Sequence, residues 1–256
     1  MQRRSPIDAL RAKCLHLKGK AMNLERATLP RFVAFFGPDG AGKTTHVQLL
    51  ASFYRANGWE VRKAWIRANH AMACVLSKLL VRLGYYRVEP GPIRRINQND
   101  PWGRAFNVST LPSLGRLWPW IEFLSLVPLI VRRAYVPLLL DRAVIAERYV
   151  VDSVVTISYI LSDDSFLRSR LCRILLRMIP EGALLIYLRA DYECILTRRG
   201  EEAHGPANIE HQLREYDKLA AQLRCPVIST NDKTVDETQK AIRRLVVEHP
   251  ARRRLR

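Results

Sequence analysis

Glycines at 37, 40 and 42, followed by Lys43-Thr44-Thr45 and placed directly after the apolar run Arg31 to Phe36, confine this chain to few architectures. The spacing is G-x-x-x-x-G-K-T, which demands a strand that ends in a tight turn and runs straight into a helix. Glycine lets backbone N–H groups turn inward around phosphate oxygens, the lysine reaches the β and γ oxygens of a nucleoside triphosphate, and the threonine hydroxyl meets Mg2+. Gly37, Asp39, Gly40, Ala41, Gly42, Lys43, Thr44 and Thr45 are therefore the candidate triphosphate-binding residues, with Thr44 also a candidate metal ligand. The context agrees on the far side of the loop. His46 to Asn57 carries Val47, Leu50, Ala51 and Tyr54 at helical spacing, and Gly58 stops it.

The elements that follow alternate. Glu60 to Arg67 reads as a second strand and Asn69 to Leu83 as a helix closed by Gly84; later strands are Ala143 to Glu147, Ala183 to Leu188 and Pro226 to Thr230, with a last helix from Val235 to Val247. Alternation of this kind implies a parallel sheet. The expected fold class is α/β, three layers, with a central parallel sheet of about five strands and helices on both faces. One such domain spans residues 30–247, between a basic extension at 1–29 and a basic tail at 248–256, and a long loop interrupts it at about 85–115. The most apolar segment, Leu117 to Leu140, is broken by Glu122 and by Arg132-Arg133, too soon for a spanning helix. It reads as one or two buried helices, with peripheral membrane contact as the rival because tryptophan and arginine flanks also suit an interface.

Charge narrows the classes of partner. The 256 residues carry 42 basic against 24 acidic side chains, a net +18 that attracts nucleotides, nucleic acid or anionic membrane. Both ends are dense in it, with Arg3, Arg4, Arg11, Lys13, Lys18 and Lys20 at one and Arg252, Arg253, Arg254 and Arg256 at the other. The five cysteines are scattered and never in C-x-x-C spacing, which argues against a disulfide framework or zinc site and suits a cytoplasmic protein. The N-terminal basic residues are not followed by the apolar stretch of a signal peptide. The first 29 residues faintly resemble an organelle transit peptide, with a mis-assigned start before Met22 as the alternative.

Four patches carry a resemblance to the thymidylate kinase family of P-loop nucleoside monophosphate kinases, in element order over roughly residues 31–246. Gly-Pro-Asp-Gly-Ala-Gly-Lys-Thr-Thr is similar to the family's G-x-D-G-x-G-K-T-T, which implies that Asp39 faces the acceptor sugar. From the residues alone, a carboxylate among phosphate-binding amides should point away from the triphosphate, or simply stabilise the turn. Val144-Ile145-Ala146-Glu147-Arg148-Tyr149 resembles the family's strand-ending D-R-Y/H, with Glu147 for Asp; the resemblance implies that Glu147 holds Mg2+ through water and that Arg148 contacts phosphate. Asp141, after the apolar Pro137 to Leu140, competes for the metal, but Asp141-Arg142 falls where a turn must precede the strand. The strand Leu184 to Leu188, followed by Arg198-Arg199-Gly200, is similar to the family's strand and arginine-bearing lid, here at about 197–208, and Leu213-Arg214-Glu215-Tyr216 to its post-lid helix. Arg148, Arg198 and Arg199, with Lys43, are thus the candidate catalytic residues, spreading transition-state charge.

Substrate is less determined. Arg67 and His70 lie just beyond the C-terminal end of the second strand, where a parallel sheet meets an acceptor phosphate, so both are candidate substrate-binding residues together with Asp39 and Arg148. The family's two base-reading side chains are missing: Leu and Ser stand near 125, and Thr156-Ile157 follows the strand. The resemblance implies phosphoryl transfer from MgATP, with ATP and Mg2+ as cofactors and dTMP as the leading acceptor; family members are often homodimers. The alternatives are transfer to a deoxynucleoside, sugar or lipid-linked group, or a nucleotide-binding regulatory or nucleic-acid-binding protein. No general base is evident, Asp39 and Asp152 being the nearest. A switch GTPase is disfavoured because N-K-x-D is absent; Asn231-Asp232-Lys233 only scrambles it.

Overall fold

The computed structural model describes residues 29–68, 112–161, 163–200 and 206–249, together with positions 75, 76, 79 and 82. His70, most of the expected helix 69–83, most of the long loop and most of both terminal extensions lie outside the described residues. Five strands form one all-parallel sheet in the order β2-β3-β1-β4-β5: β1 (Phe32–Phe36), β2 (Val61–Trp65), β3 (Ala143–Arg148), β4 (Leu184–Arg189) and β5 (Val227–Ser229). The inner strands are nearly continuous apolar runs, since both of their faces are covered. The edge strands are more exposed, at Arg62, Lys63 and Trp65 in β2 and at Val227 and Ser229 in β5.

Side-chain alternation along β1 divides the core in two. Phe32, Ala34 and Phe36 join a cluster with Leu126, Ile130, Tyr149, Val154 and Leu219 on one face, while Val33 and Phe35 join Val47, Leu50, Tyr54, Ile145 and Ile242 on the other. Helix α1 (Lys43–Ala56) and the last helix, α8 (Val235–Glu248), cover the second face. Helices α2 (Pro112–Ile130), α4 (Val150–Leu161), α5 (Arg170–Arg177) and α7 (Pro206–Leu223) contribute to the first. α3 (Val136–Leu139) continues the line of α2, and α6 (Tyr192–Arg199) follows β4. The expected three-layer α/β architecture is thus the observed one.

α1 begins at Lys43, inside the phosphate-loop motif, rather than at His46, and it buries the anticipated stripe of Val47, Leu50, Ala51 and Tyr54. Val47 and Leu50 each contribute about 1.5–3 kcal/mol by such burial. The Tyr54 hydroxyl donates to Pro30 O at 2.9 Å, which ties the helix to the entry of β1.

The apolar segment 117–140 departs from expectation. Pro137-Leu138-Leu139-Leu140, the apolar run ahead of Asp141, is largely helical, and Asp141 turns the chain at φ 57 into β3. Between α2 and α3 the helix widens into a π turn at Val131–Tyr135. Pro137 cannot donate to Arg133, and a widened turn accommodates that loss. The helices are buried on one side only, for Leu117, Trp120, Leu124, Val131, Val136, Leu139 and Leu140 are exposed. No helix among the described residues is long and apolar enough to cross a membrane.

Gly37 closes β1 against β4. A Cβ built there would lie 2.2 Å from Leu188 O, and φ is +139°. Gly37→Ala should therefore cost at least about 2 kcal/mol of unfolding free energy, read as a lower urea midpoint, because backbone of a central strand would have to move.

Candidate active site

Parallel pairing brings the C-terminal ends of β1, β2, β3 and β4 to one edge of the sheet, and the candidate residues gather there. The loop after β1 passes through Gly40 at φ 96 and Gly42 at φ 84, left-handed backbone in which successive N–H groups form a concave anion nest. Gly42 caps α1 without any side-chain hydrogen bond, so the first turn's N–H groups are left for a ligand. Ala41 is buried beneath the loop, whereas Thr44 and Thr45 are exposed at the helix mouth.

Lys43 is buried, and its Nζ donates to Gly37 O and Pro38 O at 2.7 Å each. Burial lowers the ammonium pKa to about 8, with Arg67 and Arg199 adding to the effect against the pull of Asp152 and Glu147. Thr44 Oγ1 donates to Glu147 Oε1 at 2.6 Å. This pair could hold Mg2+: both groups are hard oxygen donors already side by side, and Mg2+ keeps water and phosphate oxygens for the rest of its shell. Among the described residues no cluster of three or more His, Cys, Asp or Glu offers an all-protein cage instead. Asp141 lies before the first residue of β3, at the opposite end of the strand from Glu147, and pairs with Arg31 at 3.1 Å. It has no access to Thr44.

Asp39 is ringed by cations. Arg148 binds its Oδ1, Arg67 approaches Oδ2 at 3.7 Å, Arg199 approaches Oδ2 at 3.9 Å, and Lys43 Nζ stands 4.0 Å from Oδ1. The carboxylate thus faces guanidinium groups from beyond β2, from the end of β3 and from the end of α6. Arg148 is braced from behind: its Nη1 donates to Asp152 Oδ1 at 2.9 Å, and Asp152 also accepts from the Tyr216 hydroxyl at 3.0 Å. Asp152 is fully buried and engaged, so it positions Arg148 and does not serve as a base.

The adjacent arginines of α6 do different things. Arg198 donates to Gly40 O at 3.2 Å, to Thr230 Oγ1 at 3.0 Å and to Thr230 O, clamping the phosphate loop to the end of β5. Arg199 lies along Gly40, where an added Cβ would meet its Cγ and Cδ at 3.3 Å, and extends its guanidinium toward Asp39. Residues 201–205 of the expected lid lie outside the described residues, as does His70. A cavity of about 550 Å3 joins these groups; among the described residues, Lys43, Arg67, Arg148, Arg198 and Arg199 line it against two acids, Asp39 and Glu147. The surplus of positive charge suits an anion carrying several phosphate charges.

Three contributors were missed in the sequence. Trp65 lines the cavity, Thr230 anchors Arg198, and Tyr216 supports Asp152.

Two measurements follow from the geometry. Glu147→Gln should weaken Mg2+-dependent binding of ATP at least tenfold in calorimetry while Asp141→Asn leaves it near wild type, about the size expected for a displaced metal oxygen; a larger loss in Asp141→Asn would reverse the assignment. Lys43 is charged below about pH 8 and loses its proton as the pH rises through that value. Accordingly the affinity for ATP should fall above about pH 8, by up to roughly tenfold per unit, as the ammonium loses its proton. An affinity flat to pH 10 would contradict this.

No protein-family model and no curated protein matched the chain.

Proposed function

We propose that this chain transfers the γ-phosphoryl of ATP to a nucleoside monophosphate, as the thymidylate kinases it resembles do. The observation that carries the reading is the convergence of Arg67, Arg148 and Arg199, from three separate elements, on Asp39 inside the cavity that also contains Lys43 and the Thr44–Glu147 pair. Binding a triphosphate alone would be served by the loop and Lys43. A second group of guanidinium donors beside them suits a second phosphate-bearing molecule.

In this reading the loop N–H groups and Lys43 hold the donor's phosphates, and Thr44 and Glu147 hold Mg2+. When bound, Mg2+ neutralises charge developing on the β and γ oxygens. Arg148, kept rigid by Asp152 and Tyr216, and Arg67 receive the acceptor phosphate, taking up donors that Asp39 now engages. Asp39 is then released toward the acceptor sugar. Arg199 spreads charge on the transferring group, while Arg198 fixes the loop against which the donor lies. A phosphate nucleophile is already anionic and requires no base, which agrees with the buried, fully engaged state of Asp152.

dTMP is the first acceptor to try, on the resemblance alone. The positions where the family reads its base are committed elsewhere: Ser125 Oγ donates to Ile121 O at 2.8 Å and Thr156 Oγ1 to Asp152 O at 2.8 Å.

The test is ADP release from MgATP with dTMP, dUMP, the other nucleoside monophosphates, free nucleosides and no acceptor. Stimulation by one or more monophosphates is expected, and Lys43→Ala should lower kcat by about a hundredfold or more with the fold retained. Turnover indifferent to every acceptor, or unchanged in Lys43→Ala, would refute the reading.

A further inference from the structure

The exposed side of α2 and α3 contributes no residue to the phosphate-loop cavity, yet it carries a row of large apolar side chains. Leu117, Trp120, Leu124, Pro128 and Val131 follow one another at steps of three or four, and after the π turn Val136, Leu139 and Leu140 continue the row. These residues share one face of the helix. The opposite face, with Trp118, Leu126, Ile130 and Ala134, is the buried one. Leu139 is 84% exposed, so the row is a true surface and not the rim of a core.

Charge beside the row is mainly basic. Arg116 and Arg132 are exposed along it, Glu122, the single acid between 112 and 140, is 0% exposed, and the exposed Asp141 just past its end pairs with Arg31 at 3.1 Å. At the α3 end the row runs into a second cavity, of about 480 Å3, whose walls include Val136 and Leu140 from the row and Lys63, Arg132 and Arg133 beside them. Arg62 and Arg142 line it too, partly offset by Glu60, which lies 2.8 Å from Arg142 and 4.0 Å from Arg62. Apolar side chains including a tryptophan, flanked by arginine and lysine, with the exposed acids Glu60 and Asp141 each paired to an arginine, are the features of a helix that lies in the plane of a membrane interface.

We propose that α2 and α3 dock this chain on an anionic lipid surface, with the apolar row entering the headgroup boundary and the cavity of Lys63, Arg132 and Arg133 taking lipid phosphates. Charge decides between this occupant and a second copy of the chain. A net +18, with arginines beside the row, repels another copy and attracts anionic lipid. The helix lies on the bilayer and does not cross it, in keeping with its length and interruption. The cavity shares Thr44, Trp65 and Glu147 with the phosphate cavity, so a docked headgroup layer adjoins the candidate active site. The inference is independent of which acceptor that site uses.

Co-sedimentation of the full chain with vesicles of phosphatidylcholine, or of phosphatidylcholine mixed with phosphatidylglycerol, tests it. Wild type should partition onto the mixed vesicles, and both the double variant Leu124→Glu/Leu139→Glu and the single variant Arg132→Glu should partition at least about tenfold less. Brominated acyl chains should quench wild-type tryptophan fluorescence, and quenching should drop in Trp120→Phe, a readout that survives even if the double variant fails to fold. Failure of wild type to bind the mixed vesicles would overturn the proposal. So would equal partitioning of folded variants, which would assign binding to the basic termini, or a wild-type dimer in light scattering that becomes monomeric in the double variant.

Discussion

Arg148 joins the parts of this molecule that chemistry requires to be fixed. It stands at the end of β3, with Asp152 of α4 on one side and Asp39 of the phosphate loop on the other. A guanidinium so fully buried would cost several kcal/mol if left unpaired, so the two carboxylates are conditions of the fold as much as features of the site. Tyr216 of α7 completes the brace by donating to Asp152, which brings a helix of the first core face into the support of a loop at the sheet edge. Loop, strand and two helices are thereby held in one arrangement around a single cation.

The same economy governs Lys43. Its ammonium satisfies itself on two loop carbonyls, and burial makes the charged form less favourable than in water. The glycines at 40 and 42 supply the left-handed backbone of the loop beside it. Arg198 prevents the loop from relaxing by fastening Gly40 to Thr230.

On the far side of β2 a different constraint operates. α2 and α3 are apolar around most of their circumference, and the sheet can cover only one side of a helix. Trp118, Leu126 and Ile130 take the covered side, and the remaining apolar row faces outward beside basic residues. The stability of the core does not need that row, which is why it is free to serve docking.

The sequence by itself determined the phosphate loop, the strand before it, the helix after it and the parallel α/β layering, because each depends on local spacing: glycines that permit left-handed backbone, and apolar residues at helical or strand period. It also pointed to Glu147 through the turn that must precede β3. Tertiary structure alone decided who meets whom. It turned Asp39 toward three arginines distant in the chain, made Asp152 a buried brace, gave Arg198 and Arg199 separate tasks, and brought Tyr216 and Thr230 to the site from far along the sequence. It also chose which side of the segment 117–140 is buried. A helix that is apolar nearly all round carries no pattern from which its covered face can be read, so only packing against the sheet settles it.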